Sequence, residues 1–226
     1  MDALLRRRQM MLAGGSPTPP GPTPGELVFY DLLVFDGTAY IDTDIVPGDL
    51  ATYAVRLGNE TLKATQRVFA LYGTSSTYFG MMLSSATTST KRSFLIFYGS
   101  SSNIGGSRTL AFSNTSYSFF LTPKRFGWGN TAYTITRESG VPSGGVVLGV
   151  NPAHSGQPYT GTMRTFRIYG SDAQDASSFA DIENNYTPVY TLRPCTYNGD
   201  AGMWCVETST FYGNTAGAGT LTVRNE

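Results

Sequence analysis

A β-hairpin is predicted by the segment Leu192-Arg193-Pro194-Cys195-Thr196-Tyr197-Asn198-Gly199-Asp200-Ala201-Gly202-Met203-Trp204. The residues Asn198-Gly199-Asp200-Ala201 have the chemistry of a turn, and they separate two mainly apolar runs, Val189–Cys195 and Met203–Val206. Two such runs on either side of a tight turn are typical of paired antiparallel strands. The segment therefore indicates antiparallel β-structure near the end of the chain.

Two cysteines, Cys195 and Cys205, flank this turn. Residues at equal distances from a hairpin turn can face each other across the two strands. The pair is therefore either a cross-strand disulfide or two free thiols. Free thiols are expected if the protein assembles in a bacterial cytosol, where thiols stay reduced.

The same strand-and-turn pattern extends back from the hairpin to Glu26. The chain has 14 Tyr and 13 Phe, and we count 29 Thr; aromatic and β-branched side chains suit a pleated, half-buried surface. About fourteen short strands separated by Gly, Ser, Asn and Pro predict an all-β sandwich or barrel. Besides the two hairpin strands they are Leu27–Phe35, Tyr40-Ile41, Tyr53–Leu57, Arg67–Leu71, Tyr78–Leu83, Ser93–Tyr98, Arg108–Phe112, Tyr117–Leu121, Ala132–Thr136, Val146–Val150, Thr162–Tyr169 and Leu221–Val223.

One helix is predicted, over Ala173–Asn185. Asp172 or Ser171 can cap its first turn, because short polar side chains accept hydrogen bonds from the free N–H groups there. Phe179 and Ile182 lie three residues apart and share one face of the helix.

An extended arm precedes this domain. Residues 1–15 are predicted to be a docking arm, which can form a short helix. Residues 16–25 are predicted to be a Pro-rich, semi-rigid spacer, and the domain follows at residues 26–226. The alternative for the arm is a disordered tail. A secretory signal is not expected, because an acidic residue comes first and only Met10–Ala13 follow the arginines. The docking residues are Leu4, Leu5, Arg6, Arg7, Arg8, Met10, Met11 and Leu12.

The charge balance argues against two classes of partner. Lys and Arg together number 16, as do Asp and Glu, so the net charge is zero. Nucleic-acid binding needs a concentrated basic surface, and a membrane span needs an apolar run of roughly 18 residues. The domain has no such basic surface and the sequence has no such apolar run. Arg6-Arg7-Arg8 of the arm could contact an acidic protein surface or nucleic acid, and beside Leu and Met they suit a protein-docking helix better. We therefore expect no nucleic-acid partner and no membrane span.

Catalytic and metal-binding patterns are weak. His154 is the one histidine, and none of the six Glu belongs to the Glu-x-Asp-x-Glu type of run that places glycosidase carboxylates on one strand face. Asp42 and Asp44 share a face if Tyr40–Ile45 is a strand, and we interpret them as a solvated strand edge, with a calcium site or catalysis as alternatives. We predict no enzyme activity, no cofactor and no metal.

Sugar binding is the binding chemistry that the aromatic residues suggest. Trp128 lies between two glycines in Phe126-Gly127-Trp128-Gly129-Asn130, a predicted turn, and Tyr159 follows Gln157-Pro158 in a predicted loop. Aromatic faces in loops can stack on sugar rings. The alternative for Trp128 is packing against a neighbouring subunit or against the edge of its own domain. The candidate carbohydrate-binding residues are Trp128, Asn130, Tyr133 and Tyr159.

Three segments resemble a known family. They are Phe35–Thr43, Gly161–Tyr169 and the ending Leu192–Trp204, which continues into Phe211–Asn214 and Gly217–Thr220. Together they are similar to the concanavalin A-like, laminin G-like jelly-roll domains of gut bacteria and their tailed phages, over about residues 30–225. Cys205 stands where the resemblance leads us to expect an acidic residue.

The resemblance implies a fold and a biological setting. The fold is a two-sheet antiparallel jelly-roll sandwich, concanavalin A-like, with one short helix. The setting is a phage virion, in which this chain is a non-catalytic head-fibre, decoration or tail-appendage protein. It would dock onto other virion proteins through its arm, form a homo-oligomer and touch a host-surface glycan. The alternative is a carbohydrate-binding, lectin-like module on a bacterial cell surface. Since one fold hosts many functions, these roles are expectations.

Overall fold

The computed structural model describes residues 26–58, 66–72, 78–88, 91–98, 102–103, 108–111, 117–135, 144–149 and 159–226. The predicted docking arm (1–15), the Pro-rich spacer (16–25) and His154 lie outside the described residues. The domain boundary predicted at residue 26 therefore stays a prediction.

Antiparallel strands make up most of the described chain. In chain order they are β1 (Leu27–Phe29), β2 (Leu32–Asp36), β3 (Ile41–Asp42), β4 (Thr52–Leu57), β5 (Gln66–Tyr72), β6 (Tyr78–Thr88), β7 (Lys91–Tyr98), β8 (Ser102–Asn103), β9 (Arg108–Ala111), β10 (Tyr117–Leu121), β11 (Arg125–Trp128), β12 (Thr131–Thr134), β13 (Val146–Leu148), β14 (Thr160–Tyr169), β15 (Pro188–Tyr197), β16 (Asp200–Cys205), β17 (Thr210–Tyr212) and β18 (Leu221–Arg224).

The strands of the described residues form two sheets. The first has eleven strands, in the main order β12-β11-β10-β4-β14-β15-β16-β17, with β1, β2 and β18 paired beside it. The second has seven, in the order β3-β13-β5-β6-β7-β8, with β9 paired to β7. The predicted two-sheet antiparallel sandwich with one short α-helix is confirmed.

Some predicted strand bounds are wrong. The predicted strand Leu27–Phe35 is two strands, because the chain changes partners at Tyr30-Asp31: β1 pairs with β15, whereas β2 pairs with β14 and β18. The apolar pattern also does not predict β8, β11 and β17, each of which has four residues or fewer. Strands this short contain too few alternations to produce a period-two pattern.

Aromatic rings join the two sheets. Phe69 on β5 of the second sheet contacts Phe166 on β14 and Tyr53 on β4 of the first, with ring centroids 5.0 and 5.3 Å apart. All three side chains are buried. Fully burying a large apolar side chain stabilises a fold by roughly 1.5–3 kcal/mol. These contacts therefore determine which faces of the two sheets meet.

Alternation along the strands decides which side chains enter this core. On β4, Tyr53, Val55 and Leu57 belong to the core cluster, so Arg56 lies on the opposite, outer face of the first sheet. On the neighbouring strand β14, Phe166 is in the core and the next residue, Arg167, is on the outer face. The alternation thus brings two arginines to one outer face.

A helical segment covers part of that outer face, in two pieces. It consists of a 3₁₀ helix, Ser171–Asp175, and an α-helix, α1, Phe179–Asn185. The prediction of one helix over Ala173–Asn185 capped by Asp172 or Ser171 is wrong. Ser178 is the N-cap of α1, and its hydroxyl accepts the Asp181 N–H at 3.0 Å. The chain is extended at Ala176, before two serines whose side chains favour caps over helix interiors.

The predicted apolar face of this helix is confirmed. Phe179 and Ile182 are buried in a second cluster against the outer face of the first sheet. The other members of that cluster are Ala54, Phe120, Tyr169, Ala173 and Ala176, with Tyr186 packed against them.

The closing hairpin is confirmed, with a tighter turn than predicted. Tyr197 pairs with Asp200, so Asn198-Gly199 alone makes the turn. Both turn residues have positive φ, 52° and 87°, which is the geometry that Asn-Gly favours in two-residue hairpin turns.

This register separates the two cysteines. Cys195 pairs with Gly202 and Cys205 with Leu192, so the two thiols are not opposite each other, and both are free and buried. Cys205 belongs to the core cluster, where the acidic residue expected from the resemblance would be desolvated. Burial raises the pKa of Cys195 to about 12, so this thiol stays protonated near neutral pH.

A carboxylate ties the end of the chain to the loop after β2. Asp36 accepts hydrogen bonds from the backbone N–H groups of Thr38 at 2.8 Å and Ala39 at 3.0 Å, and from that of Thr220. Desolvation would raise the pKa of Asp36, but these hydrogen bonds outweigh it and lower the pKa to about 2. Gly219 makes the approach possible, since a Cβ there would lie 2.0 Å from Thr38 Oγ1.

Asp36→Asn should lower the free energy of unfolding, because an amide nitrogen cannot accept a hydrogen bond in place of a carboxylate oxygen. The native pKa of about 2 lies below the ordinary 3.8. The carboxylate's contribution is therefore complete above about pH 4 and is lost as the pH falls toward about 2. Urea unfolding of both chains across this range should show the difference in stability shrinking as the pH falls.

Asp49→Asn, a change at an exposed aspartate, is the matched control and should leave stability unchanged. A difference between wild type and Asp36→Asn that stays constant down to the lowest pH would contradict the role assigned to Asp36.

Candidate functional site

The turn between β11 and β12 is the first candidate surface. Trp128 pairs with Thr131 and Phe126 with Tyr133, which leaves Gly129-Asn130 as a two-residue turn. Gly129 has a φ of 52°, which glycine adopts without steric cost. We call Trp128, Gly129, Asn130 and Tyr133 the turn surface.

Trp128 lies in a strand rather than in the predicted exposed turn. It is the last residue of β11, and it is half-buried against the core cluster. Its ring centroid is 5.4 Å from that of Tyr133, which in turn is 5.5 Å from Phe126. The reason is alternation: Phe126 and Trp128 share the core-facing side of β11. The prediction of a loop tryptophan is therefore wrong, although part of the side chain remains exposed.

Two backbone hydrogen bonds hold the turn in place. The Gly129 N–H donates to the Ser118 carbonyl on β10 at 2.9 Å, and the Gly129 carbonyl accepts the Phe179 N–H of α1 at 3.0 Å. Asn130 is exposed at the tip of the turn. The turn surface thus presents an amide next to a pair of partly exposed rings, in a position set by the neighbouring strand and by the helix.

Tyr159 is not available to a ligand. The structure places it in the core, fully buried, with its ring centroid 5.4 Å from that of Phe35. Its hydroxyl donates a hydrogen bond to the Thr162 carbonyl at 3.1 Å. The prediction of a loop aromatic is wrong here. At the start of β14 every second residue faces the core, and Tyr159, just before the strand, occupies the next core-facing position before Gly161 and Met163. In the sequence this alternation is weakly marked, because the next core-facing position is Gly161, which has no side chain.

A groove on the outer face of the first sheet is the second candidate surface, and sequence reasoning missed it. It has a volume of about 540 Å³ and lies beside α1. We call it the arginine groove. It is lined by Arg56, Arg167, Tyr169, Glu183, Asn184, Tyr186, Pro188 and Thr191.

One carboxylate joins the two arginines of the groove. Glu183 of α1 accepts from Arg56 through Oε2 and from Arg167 through Oε1. The Arg56 guanidinium also lies over the Phe179 ring, 5.3 Å from its centroid. Burial raises the pKa of Tyr169, against the opposing effect of a hydrogen bond with Arg167. The groove is therefore built from side chains that orient one another.

The acidic pair considered in the sequence does not share a strand face. β3 ends at Asp42, and Asp44 has a φ of 52°, which is not a strand conformation. Asp42 Oδ1 instead accepts the Asp44 N–H at 3.2 Å. In the described part of the chain, no three His, Cys, Asp or Glu side chains are grouped closely enough to hold a metal ion. None of the helices described is long and apolar enough to cross a membrane.

Comparison with known proteins finds similar solved structures but no family. No protein-family model matches the chain, and no match was found among curated proteins. A heptameric SAP-like pentraxin from Limulus polyphemus is similar at 9% identity, over 84% of this chain and 95% of that chain, with a TM-score of 0.47. The CBM40 of the Ruminococcus gnavus IT-sialidase, solved with α2,3-sialyllactose, is 12% identical over 64% of this chain and 89% of its own, with a TM-score of 0.43.

A third similar structure has a higher TM-score, 0.54. It is a candidate carbohydrate binding protein from Bacteroides ovatus, 10% identical, and the match covers 88% of this chain and 61% of that chain. At this identity the likeness shows the fold alone. It confirms the predicted jelly-roll sandwich.

Trp128→Ala should lower the free energy of unfolding by about 1–3 kcal/mol, less than the 3–5 kcal/mol typical of a fully buried ring. Trp128→Phe should cost less, because it keeps a ring against the core. Thr131 is exposed and lies opposite Trp128 on the neighbouring strand, so Thr131→Ala serves as the control. It should change the free energy of unfolding by no more than about 0.5 kcal/mol. Urea unfolding measures all three, and a Trp128→Ala chain as stable as wild type would show that the indole does not pack on the core.

Proposed function

We propose that this domain is a lectin-like module that binds carbohydrate at the turn surface without cleaving it. The observation that carries the proposal is the partly exposed Trp128–Tyr133 pair beside the exposed Asn130, in a turn held by hydrogen bonds to β10 and α1. The similar Bacteroides ovatus protein is named for carbohydrate binding, which fits the proposal; the residues of the turn surface are its support.

The chemistry of the turn surface suits a sugar. Aromatic ring faces pack against the C–H faces of a pyranose, while an amide both donates and accepts hydrogen bonds, as sugar hydroxyls require. Binding sites gain affinity when their polar groups are already in place before the ligand arrives. The hydrogen bonds of Gly129 to Ser118 and Phe179 place Asn130 in this way.

Binding without hydrolysis follows from the residues of the same surface. Glycosidases use two carboxylates on either side of the scissile bond. The segment 126–134, which contains the turn surface, has no Asp or Glu. The two strands and the turn that form this surface therefore supply recognition groups but no carboxylate of their own for acid–base catalysis.

The setting of the module is a separate question. The virion role, as head-fibre, decoration or tail-appendage protein, rests on the family resemblance, and its docking contact would be made by the arm 1–15, which lies outside the described residues. Docking onto other virion proteins and homo-oligomer formation stay predictions with it. The lectin-like function is better supported than the virion role, because the described geometry bears on recognition and not on docking. Its place on a bacterial cell surface stays a prediction.

Asn130→Ala should weaken glycan binding about tenfold, because one sugar hydrogen bond contributes roughly 0.5–1.5 kcal/mol and an unpaired sugar hydroxyl adds to the loss. Tyr133→Phe, which keeps the ring, should weaken it about threefold if the hydroxyl contacts the sugar. A glycan array on the full chain identifies the sugar, and calorimetry with that sugar measures the variants.

Asn225→Ala, at another exposed asparagine, is the matched control and should bind as wild type does. Circular dichroism checks that each variant is folded. A glycan-array signal that neither substitution weakens would move the site elsewhere, and an array with no signal would contradict the lectin-like function.

A further inference from the structure

We propose that the arginine groove binds the carboxylate of an acidic sugar. This site is distinct from the turn surface. Arg56 and Arg167 lie on the outer face of the first sheet, whereas Trp128 packs on the core side. The proposal therefore does not depend on sugar binding at the turn surface.

The charge of the groove favours an anion. Its charged lining residues are Arg56, Arg167 and Glu183, so two positive charges face one negative charge. Glu207 is not part of the lining, and its carboxylate is engaged by the Thr191 N–H at 2.6 Å. The single carboxylate of Glu183 can neutralise only one of the two guanidinium charges. The second arginine leaves a net positive charge that a ligand's carboxylate would neutralise.

The two guanidinium groups are held in position before a ligand arrives. Glu183 binds one nitrogen of each, the Phe179 ring lies under Arg56, and Tyr169 contacts Arg167. The Arg56 side chain is still 43% exposed and that of Arg167 28% exposed, so both remain open to the groove. A planar guanidinium fixed in this way matches the two oxygens of a carboxylate.

The remaining lining residues suit the rest of a sugar. Asn184 is exposed and offers an amide, and Thr191 offers a hydroxyl that both donates and accepts. Tyr186 is half-buried and packs on the outer-face cluster, so its ring is a fixed wall of the groove. A small inorganic anion would leave these groups unused, whereas a sugar acid would contact them together with the arginines.

The test is a titration of the full chain with sodium glucuronate. Binding is monitored through the Nε–Hε signals of the arginines in NMR spectra. Glucuronate should shift the Arg56 and Arg167 signals in a saturable way. The neutral methyl ester of glucuronate should bind at least about tenfold more weakly, because it lacks the charge-assisted hydrogen bonds. Inorganic sulfate, the probe for a simple anion, should also bind more weakly than glucuronate.

Variants separate a binding role from a purely structural one. In Glu183→Gln the amide oxygen still accepts from one arginine, and Phe179 and Tyr169 still contact the two guanidinium groups. Because the negative charge that competes with the ligand is gone, glucuronate binding should tighten about fivefold. Arg56→Lys keeps the charge but loses the fork, and it should weaken binding about fivefold. Arg193→Lys is the matched control, since Arg193 lies over Phe29 on another part of the sheet, and it should leave binding unchanged.

Three results would overturn the proposal. They are the absence of a saturable shift at Arg56 and Arg167, weaker glucuronate binding by a folded Glu183→Gln chain, and sulfate or the methyl ester binding as tightly as glucuronate. Asn130→Ala should leave glucuronate binding unchanged, so failure of the turn surface and failure of the arginine groove can be told apart.

Discussion

The contact of Phe69 with Phe166 and Tyr53 is the interaction on which the rest of the structure depends. It joins the second sheet to the middle of the first, and it determines which face of each strand is buried. Once the face that carries Phe166 is inward, Arg56 and Arg167 must lie outward, because neighbouring residues on a strand alternate sides. The position of the arginine groove is thus a consequence of how the core is packed.

The short helix α1 links the core to both candidate surfaces. Its residues Phe179 and Ile182 are buried against the outer face of the first sheet, and this packing sets where the helix lies. At its start, the Phe179 N–H holds the Gly129 carbonyl of the turn surface. One turn further on, Glu183 holds the two arginines of the groove. A helix of seven residues is too short to be stable alone, so both surfaces rely on the sheet beneath it.

Most of the strands were predictable from the sequence, and the predictions that failed did so for identifiable physical reasons. Alternating apolar residues and the Asn198-Gly199 turn predict the strands and the closing hairpin, since both depend on short-range chemistry. The break of the helix at Ala176 was missed because serines compete for the backbone over only a few residues. The positions of the candidate site residues were harder to predict. Trp128 and Tyr159 are aromatic residues next to Gly or Pro, and an aromatic residue in that sequence setting can lie in a loop or at the end of a strand. The structure places the first half-buried on the core and the second fully inside it.

The sequence by itself determined that this is an all-β sandwich or barrel with one helical segment, because period-two alternation and turn residues act between near neighbours in the chain. The sandwich, as opposed to a barrel, was implied by the resemblance. The sequence also determined that the chain carries little charge and that no acidic residues accompany Trp128. Only the tertiary structure decided that Arg56, Arg167 and Glu183 meet in one groove. These residues come from two strands and a helix that are up to 127 positions apart in the chain, and local patterns carry no information about such distant neighbours. Packing of the sheets and of α1 brings them together.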